Sequence, residues 1–537
     1  MSSKNYRVST AVVIVVSILF FFYTAGLIHH AVSLLNYPWA TDYVEWPEIG
    51  RAWDIAQGKP IYTEWDELPL HEANYTPIFT ILNSLFVQIT GPTPLSGRLL
   101  ALLFLLGSGG VIAGLVATYS RTAALLGAFF WCSSHICWMW SGLVRVDNMA
   151  VFCNLTAVLV CHYGWVKARR KEAIWLSLFL CIVAGFTRQT MVAAAVAILI
   201  SVFLESKRLA LQGLGLYAFT GCFFLSVLLF LTDGLAWQHL IIANMNEFEF
   251  EALNFFFAQL WELYHWMAPL ILVGLYVVRK EPLLWIYAFV SFLVSITIGK
   301  IGASLNYLLE LWASMCMLSA IGIGSVGQVF ERFKYREGLA LILGFFCILG
   351  WQQIFHIPWT HQPKPNGGYT AMPVEGWGFA VPAVTNIPLW VLDPFALSGA
   401  DILKRSVRLY VANPSLLEAA RMERIESILS KIEGPIFSED MNFTLSIGKE
   451  ISVQSFEFFQ LSRQGKWDPQ PWEEALKTQS FGALVLLFSL EDNIEGSASA
   501  QRFSKDIIEL MNDNYRFYRR EGPYRIYLSQ RIYDSEK

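Results

Sequence analysis

The sequence predicts a polytopic α-helical membrane protein with a smaller α/β domain at its C-terminal end. Three observations predict it. The 537 residues are 55% hydrophobic and only 15% charged, whereas soluble chains carry about 25% charged residues. Apolar runs approaching the roughly 20 residues that cross a bilayer recur as far as residue 354. From about residue 355 the composition changes to ordinary polar content, through a Pro/Gly/Trp-rich stretch from Pro358 to Pro394. The expected units are a transmembrane domain over 1–354 with a first outer loop at 34–94, a linker over 355–400 and an extracytoplasmic α/β domain over 401–537.

The spacing predicts about eleven spans, at 8–30, 95–118, 123–141, 148–166, 172–187, 190–204, 209–231, 263–279, 282–298, 305–327 and 337–354. The first follows Lys4 and Arg7, is longer than a signal-peptide core and lacks a small-residue cleavage site, so it reads as an uncleaved span. Ile78 to Thr90 is apolar for only 13 residues, too few for a spanning helix, and is expected to lie in the outer interface or to be re-entrant. With the N-terminus inside, fourteen Lys and Arg residues fall in cytoplasmic segments. Six fall outside before residue 355: Arg51, Lys59, Arg98, Arg145, Arg188 and Lys300. That asymmetry obeys the positive-inside rule, and treating 78–90 as a span would move the basic run Lys167–Lys171 outside. The expected location is the inner cell membrane, multi-pass.

In the C-terminal part, Ser415–Ile432 and Phe503–Asn514 have helical periodicity. Pro435–Glu439, Ala483–Ser489, Tyr515–Arg519 and Tyr524–Leu528 read as strands, the last two joined by a turn at Glu521-Gly522-Pro523. No Gly-rich phosphate loop, GxSxG or HExxH motif occurs. The eight cysteines (Cys132, Cys137, Cys153, Cys161, Cys181, Cys222, Cys316, Cys347) lie in or beside apolar runs without a CxxC pair, as buried free thiols do. The net charge of −4 comes without a basic tract, so nucleic acid is not an expected partner.

Residues with chemistry gather in the outer segments. Asp42 and Glu45 stand three apart just past the first span, where carboxylates near lipid are costly. They lie at the entrance of a helix expected over Glu48–Gln57 and stopped by Gly58. A carboxylate there can act as a general base, and a pair can hold a divalent cation such as Mg, Mn or Zn. His71 and Glu72 read either as metal ligands or as a solvated loop pair. Arg145 and Asp147 read either as an intramembrane salt bridge or as a cation for phosphate with an orienting acid. Arg188 and Lys300 sit at outer helix ends, where a cation can also snorkel to headgroups. Three cations and an acidic loop on one face suggest a site for an anionic, lipid-linked substrate.

These motifs, in this order, resemble the C-type (GT-C) glycosyltransferases, the superfamily of the aminoarabinose transferases and protein O-mannosyltransferases, which use polyprenyl-phosphate-linked sugars. The resemblance runs through Asp42-Tyr-Val-Glu45, Gly58-Lys-Pro60-Ile-Tyr62, Tyr75-Thr-Pro77, Gly97-Arg98-Leu99-Leu100, Arg145-Val-Asp147 and the segment Gly302–Glu310 with Asn306 and Tyr307, over roughly residues 1–330. It implies Asp42 as general base with Glu45 as its carboxylate partner. It implies Glu72 near a metal or the acceptor, and Arg145, Arg188 and Lys300 on the donor phosphate. The implied partners are a polyprenyl-phosphate sugar, membrane lipid and a lipid, glycan or protein acceptor. The chain departs from the aminoarabinose transferases at Glu72-Ala73, where those enzymes carry an acid followed by Lys, so that sugar and that phosphate contact do not carry over. Two other classes compete: a transporter or flippase, which would place charges mid-helix and repeat its halves, and a non-enzymatic scaffold for envelope assembly.

Overall fold

A computed structural model describes residues 21, 24–332, 359–363, 369–373, 416–494 and 498–536. The N-terminal part is helical: α1 (Thr24–Leu35), α2 (Glu45–Ala56), α3 (Ile78–Thr90), α4 (Leu95–Ala117), α5 (Arg121–Ser133), α6 (His135–Ser141), α7 (Asp147–Cys161), α8 (Glu172–Gly185), α9 (Ala193–Glu205) and α10 (Lys207–Leu231). Helices Phe250–Tyr264, Ala268–Val278, Pro282–Ser295 and Leu309–Arg332 follow.

Among the described residues, five helices are long and apolar enough to cross a membrane: Leu95–Ala117, Asp147–Lys167, Lys207–Leu231, Pro282–Gly299 and Leu305–Val326. A sixth is counted if Phe250–Trp261 and His265–Val278, bent by 63° at their junction, form one span. The chain is thus polytopic, but eleven spans are not reached by these criteria. The region expected as one span over 123–141 is two helices: Ser134 is extended and its side chain accepts from the Cys137 amide, capping the second. The regions at 172–187 and 190–204 are helices of 14 and 13 residues. The expected span 337–354 lies outside the described residues.

Helix Leu309–Arg332 runs through the centre of the bundle and α10 at its margin, where most of its side chains are exposed. Helices Ala268–Val278 and Leu309–Arg332 pack backbone to backbone: a Cβ on Gly274 or Gly322 would collide with the carbonyl oxygen of Leu318 or Leu270. In α3, Phe79, Thr80, Asn83, Ser84 and Val87 are buried, while Ile81, Leu85, Phe86 and Ile89 are exposed. This is the two-faced pattern of a short interfacial helix.

Two short strands, β1 (Trp359–Pro363) and β2 (Tyr369–Pro373), pair antiparallel within the expected linker. The C-terminal domain holds β3 (Ile436–Ser438), β4 (Ala483–Leu486), β5 (Tyr515–Glu521) and β6 (Tyr524–Ser529) in the order β3-β4-β6-β5, with β3 and β4 parallel and the other pairs antiparallel. The β5–β6 turn contains Gly522, whose φ of +61° suits a residue without a Cβ. Four strands lie within a few residues of the predicted segments. Two helices in this domain, Ser455–Arg463 and Gln470–Lys477, have no counterpart among the elements expected from the sequence.

The domain is docked on the loop that follows α1. Tyr37 and Trp39 enter its core beside Ile425 and Phe443, and Trp65 and Leu70 enter a second core beside Phe458 and Trp472. The main chain of Leu70 bonds Ser452 and Gln454 as in a parallel strand pair. The indole N–H of Trp46 and the amide of Ala40 both donate to Asn442 Oδ1, at 2.6 and 3.0 Å. The junction between the domains encloses a cavity.

Candidate active site

The cavity has a volume of about 340 Å³ and is lined from both sides. Asp42, Glu72, Tyr75, Arg145, Lys300, Asn306 and Tyr307 line it from the helical part, together with Asn244 and Asn246. Phe456, Glu457, Gln460, Gln501 and Arg502 line it from the C-terminal domain.

The acidic motif separates into two environments. Helix α2 begins at Glu45 rather than Glu48, so Glu45 lies in its first turn and Asp42 just before it. The Glu45 carboxylate is wholly buried. It accepts from Arg98 Nε and Nη2 at 2.9 and 2.8 Å, from the Thr41 amide at 2.7 Å and from the Val144 amide at 2.9 Å. Burial alone would raise its pKa, but the Arg98 guanidinium and these donors hold it below the usual carboxylate range. Arg98 also donates to the carbonyls of Leu34, Tyr37 and Trp39, tying the end of α1 to α4. Glu45 does not line the cavity.

Asp42 does. Its Oδ2 lies 3.3 Å from Arg145 Nε, yet neither atom makes an aligned hydrogen bond. Burial raises the Asp42 pKa, with Arg145 opposing and the Glu45 charge adding to the rise. A carboxylate so placed is a stronger base than a solvated one.

Of the other residues singled out from the sequence, Lys300 donates its ammonium to the carbonyl and the side-chain oxygen of Asn244, at 3.0 and 3.2 Å. Arg188 and Asp147 form a buried ion pair and stand behind the lining. Asn306 Nδ2 donates to Asp147 Oδ1 at 3.0 Å, and the Arg188 guanidinium lies 4.3 Å from the centre of the Tyr307 ring. This pair therefore supports two lining residues, and Arg188 Nη2 and Asp147 Oδ2 remain without hydrogen-bond partners.

Glu72 faces the cavity, its main-chain N–H bonded to Gln454 and its carbonyl to Arg51 Nη1. Burial raises its pKa to about 8 and the neighbouring Glu457 adds to the rise, against Arg51 and Lys300. The Glu457 pKa is raised chiefly by burial. His71 does not line the cavity; its Nε2 faces the carbonyl of Ile451, and burial lowers its pKa. Among the described residues no three His, Cys, Asp or Glu side chains are grouped to hold a metal ion. Glu72 and Glu457 are the carboxylates that could share a cation, without His71 between them.

No protein-family model and no curated protein matches this sequence. Solved structures do match its fold. ArnT from Cupriavidus metallidurans in the apo state superposes with a TM-score of 0.58 at 13% identity, covering 95% of this chain and 97% of that one. The same protein bound to undecaprenyl phosphate gives 0.56 at 13% identity over the same shares. The chain shares the fold of these ArnT structures.

The half of the lining that comes from the C-terminal domain was not foreseen from the sequence. Tyr43, next to Asp42, makes the junction: its hydroxyl donates to Glu457 Oε2 at 3.1 Å and accepts the Phe456 N–H at 3.0 Å. The Arg502 guanidinium lies 4.7 Å from the Tyr43 ring centre. The one local signal was the acid and amide at positions 457 and 460, one turn apart on a short helix.

Proposed function

We propose that the chain is an integral membrane glycosyltransferase that moves a sugar from a polyprenyl-phosphate donor to an extracytoplasmic acceptor hydroxyl, with Asp42 as general base. The observation that carries this reading is Asp42 at the cavity wall, raised in pKa by burial, with Oδ2 without a hydrogen bond 3.3 Å from the buried Arg145 guanidinium. The fold shared with a protein solved with undecaprenyl phosphate supports the donor class. The excess of Lys and Arg in the expected cytoplasmic segments supports an inner-membrane protein with the N-terminus inside and the cavity outside.

In the proposed step the acceptor oxygen attacks the anomeric carbon, its proton passes to Asp42, and the bond from that carbon to the phosphate oxygen breaks. The electron pair leaves on the polyprenyl phosphate. Phosphate leaves without prior protonation when cations hold it, so Arg145 and Lys300 replace a general acid. Arg188 acts through Tyr307 and, with Asp147, through Asn306. Glu45 positions Asp42 by fixing the start of α2, rather than sharing its proton.

The test is transfer in proteoliposomes, with radiolabelled polyprenyl-phosphate sugars as donors and membrane extract as acceptor. Label entering the extract in a protein-dependent way is expected. Folded protein that transfers label from none of the donors would overturn the reading.

A further inference from the structure

We propose that two basic loops on the face opposite the cavity form a seat for an anionic membrane phospholipid. The proposal does not depend on the glycosyltransferase reading. The span that starts at Asp147, behind the cavity lining, runs 21 residues to Lys167, a length of about 30 Å. Arg169, Arg170 and Lys171 follow it and lead into α8, while Lys207 and Arg208 open α10 just after Glu205 closes α9. In the orientation proposed above, this face is cytoplasmic.

One ion pair joins the two loops: Arg169 Nη1 donates to the Glu205 carboxylate. Over 168–172 and 205–208 the loops carry five cations and two acids, and Glu205 is already engaged. The Arg169 guanidinium lies 5.6 Å from the centre of the Trp165 ring, and the Lys207 ammonium 5.9 Å from that of Phe203. Both are held by the attraction of a cation to an aromatic face. Arg169 has a φ of +57°, the left-handed conformation in which Gly is usual after a helix. Arg170, Lys171 and Arg208 are exposed, and among the described residues their side chains have no hydrogen bond, ion pair or ring contact. Each loop therefore offers uncommitted cations beside a fixed pair.

The surroundings of these cations select the ligand. Leu176 on α8, Leu204 on α9 and Leu211 on α10 are exposed, and each lies within five residues of Lys171, Lys207 or Arg208. Along a helix that is less than about 8 Å. Cations thus stand directly above an apolar band, as phosphate stands above acyl chains in a leaflet. Arg can take two phosphate oxygens at once, and Lys adds a point charge. A soluble anion would meet the cations and leave the apolar band unused. A zwitterionic lipid brings an ammonium of its own, which offsets its phosphate. An anionic phospholipid satisfies both parts of the surface, and basic clusters at the cytoplasmic ends of spans suit such headgroups.

The experiment is native mass spectrometry of the full chain in detergent. The probes are phosphatidylglycerol and phosphatidylcholine with matched acyl chains, and inorganic pyrophosphate and poly-glutamate as competitors. Saturable phosphatidylglycerol binding that exceeds phosphatidylcholine binding and weakens with salt is expected. Arg170→Gln with Arg208→Gln should weaken it about tenfold to thirtyfold, at roughly fivefold for each cation. Arg121→Gln with Lys280→Gln removes the same charge from other turns of this face and should change it less than threefold. Equal binding of the two lipids, or equal losses in the two double variants, would overturn the seat, since the face would then act only as a diffuse field. Displacement of phosphatidylglycerol by pyrophosphate or poly-glutamate at equal concentration would overturn the lipid as ligand, in favour of a soluble anion or an acidic protein. The wild-type comparison between lipids decides the matter even if a variant does not fold.

Discussion

The clamp around Glu45 and the cavity wall around Asp42 begin from the same four-residue motif, Asp42 to Glu45, and end as opposites. At the clamp every charge is answered: five donors reach the Glu45 carboxylate, the Thr41 hydroxyl among them, and Arg98 directs its remaining N–H groups to main-chain carbonyls. At the wall, Asp42 Oδ2 and Arg145 Nε face each other without an aligned bond. A saturated buried pair fixes geometry and has nothing left to offer a substrate. An unsaturated one retains the capacity to bind and to take a proton. Burial is common to both; the difference lies in how many partners each charge has.

That contrast can be broken from either side. The largest effect on stability should come from the clamp. Arg98→Ala leaves the Glu45 charge buried and alone and should cost about 3–5 kcal/mol, a loss of many degrees in thermal unfolding. Retained stability would mean that the clamp relaxes to admit water. At the wall, Arg145→Ala should cost less stability than Arg98→Ala, since Asp42 can take up a proton, but should weaken undecaprenyl phosphate binding by about tenfold to a hundredfold, the range for hydrogen bonds to a charged group. Unchanged binding would remove Arg145 from the donor side.

A third prediction concerns pH. Glu72 has a folded-state pKa raised from 4.5 to about 8. The folded state therefore holds its proton more tightly than the unfolded chain does. The stability this contributes is complete below pH 4.5 and is lost as pH rises through about 8. Unfolding followed from pH 5 to 9 should show a falling midpoint for the wild type, with a flatter profile for Glu72→Gln. Equal slopes would contradict the assignment. The smallest effect is expected for Tyr43→Phe, which removes the hydroxyl that joins Glu457 to the motif and should cost about 1 kcal/mol. A larger loss would mean that Tyr43 holds the whole domain junction.

The helical part's share of the cavity lining was legible in the sequence because its chemistry is conspicuous there. Asp42, Arg145 and Lys300 are charges at the ends of apolar runs, where a charge is costly to hold and stands out against its neighbours. The partition between Glu45 and Asp42 was not legible, since it depends on Arg98 and the Val144 amide, 53 and 99 residues further on. The contribution of the C-terminal domain was hidden for the same reason. Glu457 meets Tyr43 across 414 residues, and its helix mixes aromatic, acidic and polar positions without a clean apolar stripe. The helix break at Ser134 was not foreseen, because a span expected from overall apolar composition does not register a local change in backbone direction.

Asp42→Asn is the most direct test of the central claim. The substitution keeps size and most polar contacts, and it removes the ability to accept a proton. Transfer of radiolabelled sugar in proteoliposomes should fall about 10²–10⁴-fold, the usual share of a general base, with the unfolding midpoint and undecaprenyl phosphate binding close to wild type. Transfer at the wild-type rate by Asp42→Asn would contradict the account, because no proton acceptor would then be required where the cavity presents one.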